Sequence, residues 1–403
     1  MPVTIQRLGH LGDGIAEGPV YASRVLPGEV IDGAIDGARI ARPKIVTPSQ
    51  HRVSAPCSHY KSCGGCALQH ASDSFVADWK ADVVRQALGA QGLDAPIRNV
   101  ITSVPNSRRR ATFSGRRMKS GPLVGFHAPG SDAVTDVPDC QLLAPELMPA
   151  IAACRDFVQM LGSRKGEMKF QVTSTDVGLD VNLTGGRKID GADFGPLAAI
   201  AQTHRLARLS IDGDVIVIEN PPRLSFDGIP VSPPPGAFLQ ATSSGETALR
   251  NGVFEAVEHA RRVVDLFAGC GTFAVPMARV SDVHGVEGDA LLTAAMDDAW
   301  RKADGLKELT TEVRDLYRRP LLPDEIERFD AVVIDPPRAG AEAQTRAIAD
   351  AKPPKIAFVS CNPTTFARDA KILIDAGYTL DWIDVVDQFR WATHIELVTQ
   401  FSA

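Results

Sequence analysis

Apolar and polar residues alternate with two different rhythms along the chain, and the rhythm changes near residue 236. In the C-terminal part, short apolar runs are separated by longer stretches with the spacing of amphipathic helices. The runs are VVDLF at 263–267, VHGVE at 283–287, DAVVID at 330–335 and KIAFVS at 355–360. Apolar strands that alternate with helices are typical of a parallel sheet covered on both faces. We therefore predict an α/β domain over residues 236–403.

The N-terminal part of the chain has the shorter period of strands. Residues 1–48 consist of short alternating segments broken by frequent glycines, a pattern typical of a small antiparallel barrel. Residues 49–235 contain three clustered cysteines, a candidate amphipathic helix at 75–88 and further β-rich segments. The proline run at 233–235 predicts the hinge that ends this region. The sequence thus predicts three domains.

Composition and charge narrow the class of protein. The chain has 403 residues, with 44% hydrophobic and 23% charged content, which indicates a folded protein rather than a disordered or fibrous one. Its N-terminus lacks the apolar core of a signal peptide, and no stretch approaches the roughly 18 apolar residues that cross a membrane. We therefore expect a cytoplasmic protein without a membrane partner. The net charge of -6 argues against nonspecific coating of nucleic acid, so such contact requires a local basic patch.

One basic patch stands out within a predicted β-hairpin. Positive side chains beside aromatic ones suit contact with RNA phosphates and stacking on bases, whereas a solvated charged face is the alternative. The aromatic residues are Phe113 and Phe126, and the basic ones are Arg108, Arg109, Arg110, Arg116, Arg117 and Lys119.

Glycine and acidic residues follow the first two predicted strands of the α/β domain. After VVDLF, Gly269 and Gly271 form a turn in which missing side chains let a ligand approach backbone N–H groups at a helix N-terminus. Glu287 ends VHGVE sixteen residues after Gly271, where a carboxylate can accept hydrogen bonds from both hydroxyls of a ribose. The pattern predicts a cofactor that contains a nucleoside. A turn that only allows tight packing of the strand on the helix is the alternative.

Asp335, Pro336 and Pro337 follow the third strand, where the two prolines hold a carboxylate in an extended turn at the edge of the sheet. This sequence is familiar from methyltransferases, including those that act on exocyclic amines. Those enzymes usually place an aromatic residue next, which stacks on the flipped base, and Arg338 occupies that position here. An N-cap role for Asp335 is the alternative.

Cys361 ends the fourth strand, and Asn362 and Pro363 then begin a helix as its N-cap and first residue. The dipole of that helix favours the thiolate, so we predict that it lowers the thiol pKa below about 8.5 and makes Cys361 a nucleophile. Cys154 and Cys270 lack such a position and are predicted to be small buried apolar residues.

Three further cysteines, Cys57, Cys63 and Cys66, lie within ten residues of one another. Gly64 and Gly65 let this loop fold tightly, so the three thiolates can converge on one metal site. A disulfide framework is less consistent with a long chain in a reduced compartment. A fourth ligand must come from elsewhere in the chain, and the spacing alone is compatible with zinc as well as with an iron-sulfur cluster.

The segment SCNPTTFARD, residues 360–369, resembles the nucleophile motif of the RNA uracil-5-methyltransferase family. The resemblance extends over nearly the whole chain. Near the C-terminus, Phe389, His394 and Glu396 in DQFRWATHIE are similar to the motif that holds the family's general base. The positions similar to its cofactor contacts are Gln240, Phe267, Gly269, Gly271, Thr272, Glu287, Asp315 and Asp335.

The resemblance implies an architecture for each predicted domain. Residues 236–403 are expected to form a Rossmann-like class I methyltransferase domain that binds S-adenosyl-L-methionine, and residues 49–235 a β-rich iron-sulfur domain that contacts RNA. Gly12, Gly14 and the later segment PGE are similar to a TRAM barrel, an OB-like fold that binds RNA. The ligands of the [4Fe-4S] cluster that the resemblance implies are Cys57, Cys63, Cys66 and Cys140.

The resemblance also implies a reaction. Carbon 5 of uracil is a poor nucleophile until a thiolate, here that of Cys361, adds at carbon 6 and creates an enolate. The enolate takes the methyl group, and Glu396 as general base then removes the carbon 5 proton so that the thiolate leaves. His394 lies two residues from Glu396, on the same face of an extended strand, and is placed to orient it, but a structural histidine is the interpretation that we favour. The central insert and cysteine loop are more similar to the ribosomal RNA branch, so we expect a monomeric enzyme for 23S rRNA, with transfer RNA as the alternative substrate.

Three functions of other classes share part of these features. A dinucleotide-dependent oxidoreductase would use the same glycine turn and Glu287, and an exocyclic-amine methyltransferase would share Asp335. A noncatalytic iron-sulfur protein that binds RNA would share the cysteine loop. None of these functions accounts for Cys361 before a helix N-terminus together with Glu396. We therefore favour the RNA uracil-5-methyltransferase.

Overall fold

A computed structural model describes residues 2–403, in which three large β-sheets and a two-stranded sheet are joined and covered by helices. The strands are β1 (Val3–Leu8), β2 (Gly14–Ala16), β3 (Val20–Ala22), β4 (Val30–Asp32), β5 (Arg39–Ile40), β6 (Lys44–Thr47), β7 (Ile97–Thr102), β8 (Arg110–Met118), β9 (Gly121–His127), β10 (Val134–Asp136), β11 (Met168–Thr175), β12 (Gly178–Thr184), β13 (Leu206–Ile211), β14 (Asp214–Ile218), β15 (Leu224–Phe226), β16 (Ile229–Val231), β17 (Arg262–Leu266), β18 (Asp282–Glu287), β19 (Leu309–Val313), β20 (Ala331–Ile334), β21 (Lys355–Ser360), β22 (Thr379–Asp387) and β23 (Glu396–Ser402). The α-helices are α1 (Asp73–Gly89), α2 (Ala150–Leu161), α3 (Phe194–Thr203), α4 (Ser243–Ala256), α5 (Ala274–Met277), α6 (Ala290–Lys302), α7 (Pro323–Ile326), α8 (Glu342–Ala351) and α9 (Pro363–Asp375). Short 3-10 helices occur at Pro145–Leu147 and Gly191–Asp193. Within residues 2–403, none of the helices combines the length and the apolar character needed to cross a membrane.

The first sheet is formed by six strands within residues 3–47, in the order β5-β3-β2-β1-β4-β6. Neighbouring strands are antiparallel except for β3 and β5, which are parallel. Its small core contains Ile5, Ala22 and Ile31, each at most 1% exposed. The short strands predicted within residues 1–48 are therefore present in the described part of the chain.

The second sheet lies within residues 110–218, in the order β10-β9-β8-β11-β12-β13-β14. β8 and β9 form the predicted antiparallel hairpin, and α2 covers one face of it. Gly115 in β8 permits this close approach, because a Cβ there would lie 2.5 Å from Val158 Cγ2 of α2.

The third sheet has eight strands, in the order β19-β18-β17-β20-β21-β23-β22-β7. The first five of these are parallel to their neighbours, whereas β23 is antiparallel to both β21 and β22. Val263 in β17 and Val332 in β20 are 0% exposed, as expected for strands with helices on both faces. The α/β architecture predicted for residues 236–403 is confirmed, and its four predicted strands correspond to β17, β18, β20 and β21.

Part of the region predicted as the central domain belongs to the third sheet. The helix predicted at 75–88 is present as α1, but it packs against α9 and β22, and β7 pairs with β22 at the edge of the sheet. A boundary at 235/236 therefore does not separate the sheets. This pairing could not be predicted because β7 joins Ile97 to Ile383, which are far apart in the chain.

Candidate active site

The carboxyl ends of the parallel strands in the third sheet surround a cavity of about 310 Å³. The segments that follow β17, β20 and β21 form its wall, together with the last residue of β18 and the first residue of β23. Eight of the ten residues predicted to be catalytic or to bind the cofactor line this catalytic cavity, and they are Gln240, Phe267, Gly269, Thr272, Glu287, Asp335, Cys361 and Glu396. Gly271 and Asp315 lie outside its lining.

The glycine turn after β17 shapes one wall of the catalytic cavity. Phe267, Gly269 and Gly271 have positive φ angles of 61°, 57° and 88°. A Cβ on Gly271 would lie 2.5 Å from Val275 Cγ2, so this glycine is required for packing of the turn on the helix that follows. An added Cβ on Gly269 would have nothing within 4 Å. Of these two glycines, Gly269 therefore borders the space that a ligand can enter.

Backbone N–H groups hold Glu287 at the end of β18. Gly269 N donates to Glu287 Oε2 at 2.9 Å, and Asp289 N donates to Oε1 at 3.0 Å. Each carboxylate oxygen keeps acceptor capacity, so two ribose hydroxyls can still bind. Asp315 follows the neighbouring strand β19, where its carboxylate accepts from Tyr317 N at 3.0 Å. Asp315 therefore stabilises a turn next to the site.

Two aspartates bring further carboxyl groups to this end of the sheet. Burial raises the pKa of Asp335 to about 7. Asp265 in β17 is 0% exposed, and burial together with the nearby Asp335 carboxylate raises its pKa well above its usual range. Buried carboxylates without a compensating cation are stabilised when a positively charged ligand arrives. The sequence did not single out Asp265, which lies within an apolar run.

Cys361 follows β21 and faces the catalytic cavity, and Asn362 caps α9, both as predicted. The predicted lowering of the thiol pKa is wrong. Burial, and next the carboxylates of Glu396 and Asp335, raise the pKa of Cys361 to about 11, and the nearby Arg338 side chain offsets them only in part. The prediction weighed the helix dipole alone, whose effect is smaller than that of burial among carboxylates.

Glu396 begins β23, is 4% exposed and faces the same cavity. Burial, and next the Asp335 carboxylate, raise the pKa of Glu396 to about 8. Its hydrogen-bond partner is Gln388, whose Nε2 also donates to Gln240 Oε1 at 2.5 Å. Gln388 Oε1 accepts from Ala241 N at 2.5 Å. This buried glutamine, which sequence reasoning missed, joins Glu396 to the segment that carries Gln240.

The segment that presents Glu396, residues 387–396, is called the base loop below. The ring of His394 packs against that of Phe389 with the centroids 5.4 Å apart, which agrees with the favoured structural role. The base loop is held by Lys80 of α1, which is 0% exposed. Lys80 Nζ donates to Asp387 Oδ1 at 2.6 Å, to His394 O at 2.8 Å and to Phe389 O at 3.3 Å. Lys80 thereby holds both ends of the base loop. This role could not be predicted, because a lysine in an amphipathic helix usually faces solvent.

A second cavity, of about 240 Å³, is called the cysteine cavity. The four cysteines that line it are those predicted to bind metal, Cys57, Cys63, Cys66 and Cys140. Burial raises the thiol pKa of Cys66 to about 12 and also raises those of Cys63 and Cys140. Among residues 2–403, no group of three or more His, Cys, Asp or Glu side chains is arranged to hold a metal ion. The four thiols therefore surround a space without meeting at a point.

The cysteine loop contacts the base loop directly. Ala67 N and Leu68 N, which follow the clustered cysteines, both donate to Trp391 O, at 2.8 and 2.9 Å. Arg108 lines the cysteine cavity, and its guanidinium carbon lies 5.5 Å from the ring centroid of Phe389. The two cavities are thus connected through the base loop.

The predicted basic patch divides into an inner and an outer part. Arg109 is 9% exposed and its guanidinium donates to Glu246 Oε2 at 2.5 Å, so it is not available for the predicted contact with RNA phosphates. The guanidinium carbon of Arg110 lies 4.1 Å from the ring centroid of Phe238, which lines the catalytic cavity. The sequence shows consecutive arginines, but it does not show that their partners, Glu246 and Phe238, come from a distant segment of the chain.

The sheet order and the position of the catalytic cavity define the class of protein as an α/β methyltransferase. A solved structure with the same fold is the Pyrococcus abyssi tRNA (uracil-54, C5)-methyltransferase in complex with S-adenosyl-L-homocysteine. The two chains have a TM-score of 0.79 and 21% sequence identity, and the match covers 100% of this chain and 99% of the other.

Sequence comparisons identify the family. The family model of tRNA (uracil-5-)-methyltransferases matches residues 300–401. An RNA methyltransferase of Rhizobium meliloti is 41% identical over 405 residues, which cover 98% of each chain. The 23S rRNA (uracil(1939)-C(5))-methyltransferase RlmD of Shewanella baltica is 30% identical over 432 residues, which cover 100% of this chain and 95% of the other. The chain belongs to the RNA uracil-C5-methyltransferase family.

Proposed function

We propose that this enzyme transfers a methyl group from S-adenosyl-L-methionine to carbon 5 of a uridine in RNA, with Cys361 as nucleophile and Glu396 as general base. One observation carries the proposal: Cys361 and the buried Glu396 line the same cavity as the glycine turn and Glu287. A nucleoside-binding wall and a pair of groups for covalent catalysis therefore face one space.

Several residues are suited to hold S-adenosyl-L-methionine. Glu287 offers its carboxylate to the ribose, and the turn at Gly269 leaves open space beside backbone N–H groups. The carboxyl group of Asp335, whose pKa burial raises to about 7, is stabilised as an anion by a cationic ligand. When bound, this cofactor supplies an electrophilic methyl group on a positively charged sulfur. The complex of the Pyrococcus abyssi enzyme with S-adenosyl-L-homocysteine supports this assignment.

Cys361 and Glu396 then divide the chemistry between them. The Cys361 thiolate forms a bond to carbon 6 of uracil, and the resulting enolate would take the methyl group at carbon 5, with cleavage of the bond between sulfur and methyl and release of S-adenosyl-L-homocysteine. Glu396 takes the proton from carbon 5, the electrons of that C–H bond restore the double bond between carbons 5 and 6, and the sulfur leaves as thiolate. Gln388, bonded to both Glu396 and Gln240, orients the base during this step.

The state of the two groups depends on what occupies the catalytic cavity. With pKa values of about 11 for Cys361 and about 8 for Glu396, both groups are mainly protonated near neutral pH. A positive charge beside Asp335 lowers the pKa of each neighbouring acid and thiol, because it favours their anions. Binding of the cationic cofactor thus favours the anionic form of both catalytic groups. Before the cofactor binds, the thiol stays protonated and is therefore less reactive.

The cysteine cavity is proposed to hold a [4Fe-4S] cluster through Cys57, Cys63, Cys66 and Cys140. A single zinc ion needs four sulfur atoms within about 2.3 Å of one point, whereas four thiols around a cavity of 240 Å³ fit a larger inorganic core. Four cysteine ligands leave no iron free for substrate, so the role is structural. In this structural role the cluster would support the base loop through the hydrogen bonds of Ala67 and Leu68 with Trp391.

We propose 23S rRNA as the substrate, because the Shewanella baltica RlmD, named for that substrate, matches over the whole of this chain. Transfer RNA is the second candidate, favoured by the family model and by the name of the Pyrococcus abyssi enzyme. The first two sheets are the proposed RNA-binding regions, and the proposed place of action is the cytoplasm.

Release of tritium from RNA that carries it at carbon 5 of uridine tests the proposed function. Methylation at carbon 5 must release one proton for each methyl group gained, so tritium release and methyl incorporation should be equal. Incorporation without release would place the methyl group on another atom and overturn the proposal. Parallel mapping of 5-methyluridine in 23S rRNA and transfer RNA from wild-type and deletion strains decides between the substrates.

A further inference from the structure

A third cavity, of about 600 Å³, lies between the turn from β8 to β9 and the segment after α2. Three basic side chains line this groove, those of Arg117, Lys119 and Arg164, together with polar groups such as Gln159 and Ser163. No Asp or Glu contributes to its lining within the described residues. We call it the basic groove.

The three cations of the basic groove have no carboxylate partner, in contrast to Arg116. Arg116, one residue away, forms a salt bridge with Glu167 at 2.7 Å. Arg117 donates only to Gly162 O, at 3.5 Å, and within residues 2–403 no acidic side chain pairs with Lys119 or Arg164. Three unpaired positive charges around one concave surface repel one another, and a bound polyanion removes that cost. In a chain with a net charge of -6, their concentration here is distinctive.

β8 connects the basic groove to the catalytic cavity. Arg110 at the start of β8 stacks on Phe238 of that cavity, and Met118 at the end of β8 lines the groove. Eight residue steps of a strand at roughly 3.3 Å each give a separation of about 26 Å. Nucleotides stacked at roughly 3.4 Å span that distance in about eight steps.

We propose that the basic groove binds backbone phosphates of the substrate RNA about eight nucleotides from the target uridine. The proposal rests on RNA as the substrate, but it does not depend on which atom is methylated. It assigns the role that the sequence predicted for the whole basic patch to Arg117 and Lys119, and it adds Arg164.

The variant R117E/K119E/R164E tests the groove through the salt dependence of RNA binding without S-adenosyl-L-methionine. Each lost phosphate contact lowers the slope of log Kd against log salt by roughly 0.7 for single-stranded RNA, so a decrease of about 2 is expected. The matched control is R301E/K302E/R346E, which makes the same change in net charge at exposed cations that pair with acids on α6 and α8. The control should keep a slope close to that of the wild type.

RNA length supplies a second readout. An RNA that ends fewer than about eight nucleotides from the target on either side should bind the wild type and R117E/K119E/R164E equally, whereas a longer RNA should bind the variant more weakly. An unchanged slope, an equal loss in the control or a loss that does not depend on RNA length would overturn the proposal. Because binding is measured without turnover, failure of the proposed methylation would leave this result interpretable.

Discussion

The catalytic cavity and the cysteine cavity both contain buried thiols, but their surroundings give those thiols different chemistry. The pKa of Cys361 is raised by burial and by the carboxylates of Glu396 and Asp335. In the cysteine cavity, burial raises the pKa of Cys66 and Cys140, and neighbouring sulfur atoms add to the effect. A cationic ligand can activate Cys361, because it neutralises the carboxylates that raise the pKa of this thiol. Such a ligand has no carboxylate to neutralise among the residues that line the cysteine cavity.

The largest expected effect separates Cys361 from every other cysteine. Cys361→Ala should lower methylation by at least about 10⁴-fold, since loss of a covalent nucleophile removes the only route to the enolate. Binding of S-adenosyl-L-methionine, measured by calorimetry, should stay close to that of the wild type. Cys154→Ala is the control, because Cys154 is 0% exposed and lines neither cavity. Methylation by Cys361→Ala at a rate near that of the wild type would exclude the covalent mechanism.

Glu396→Gln should stop the reaction one step later. Attack by Cys361 and methyl transfer precede departure of the carbon 5 proton, so the variant should accumulate a covalent complex of protein and methylated RNA. Turnover should fall by roughly 10²- to 10⁴-fold, as is typical when a general base is lost. Denaturing electrophoresis of labelled RNA detects the complex.

Glu342→Gln, at an exposed carboxylate that pairs with Arg346, is the matched control and should form no excess complex. If Glu396 has only a structural role, its replacement should lower stability and all steps together, and no complex should accumulate.

These two cavities also show what the sequence could predict. The segment from Cys361 to Pro363 is local, and a strand that ends before an N-cap fixes where a side chain points, so the position of Cys361 was predicted correctly. The pKa of its thiol was not, because Glu396 and Asp335 reach it from other strands. A local sequence pattern can predict where a side chain lies, whereas its pKa depends on neighbours that the fold brings together.

Contacts between distant segments account for the other misses. Lys80 meets Asp387 across 307 positions, and Gln388 meets Gln240 across 148. Neither pair leaves a periodic signal. Arg109 was assigned to RNA because of its charge and the aromatic residues near it in the sequence, although Glu246 neutralises it in the fold. Three of the cysteines that line the cysteine cavity were grouped by their close spacing in the sequence. The fourth, Cys140, is distant in the sequence and was supplied by the family resemblance.

Changing pH should move activity and stability in opposite directions. The pKa of Glu396 is raised to about 8, so its ionised fraction should increase about tenfold per unit up to about pH 7, and ionisation of Cys361, with a pKa of about 11, adds to the rise of kcat/KM. The folded state keeps the proton of Glu396 above the pH at which the unfolded chain loses it, so the free energy of unfolding should fall over the same range. Urea titrations at pH 6 and 8 measure the second effect. In Glu396→Gln this component of the pH dependence of stability should disappear, and its persistence would assign it to another group.

Removing the support of the base loop should have a smaller effect on catalysis. The double variant K80M/D387L eliminates both buried charges, which avoids leaving one of them unpaired. Misplacement of Glu396 should slow proton removal by between about 10- and 100-fold and lead to some covalent complex. The control K371M/D375L removes an exposed pair on α9 and should form none. If stability falls but the ratio of covalent complex to released product does not change, Lys80 has only a structural role.

The smallest expected effect on turnover comes from the cysteine cavity. Cys140→Ser should remove iron and the broad visible absorbance that a [4Fe-4S] cluster gives the protein, while the Cys154→Ser control keeps both. Turnover should fall only on the order of tenfold, because the cysteine loop acts on the base loop through two backbone hydrogen bonds to Trp391, each with a net value of about 1 kcal/mol. The thermal midpoint should fall as well, since a bound cluster stabilises the folded state. Stoichiometric zinc without iron in the wild type would contradict the cluster, and a loss of turnover as large as that of Cys361→Ala would place the cysteine cavity in the chemistry itself.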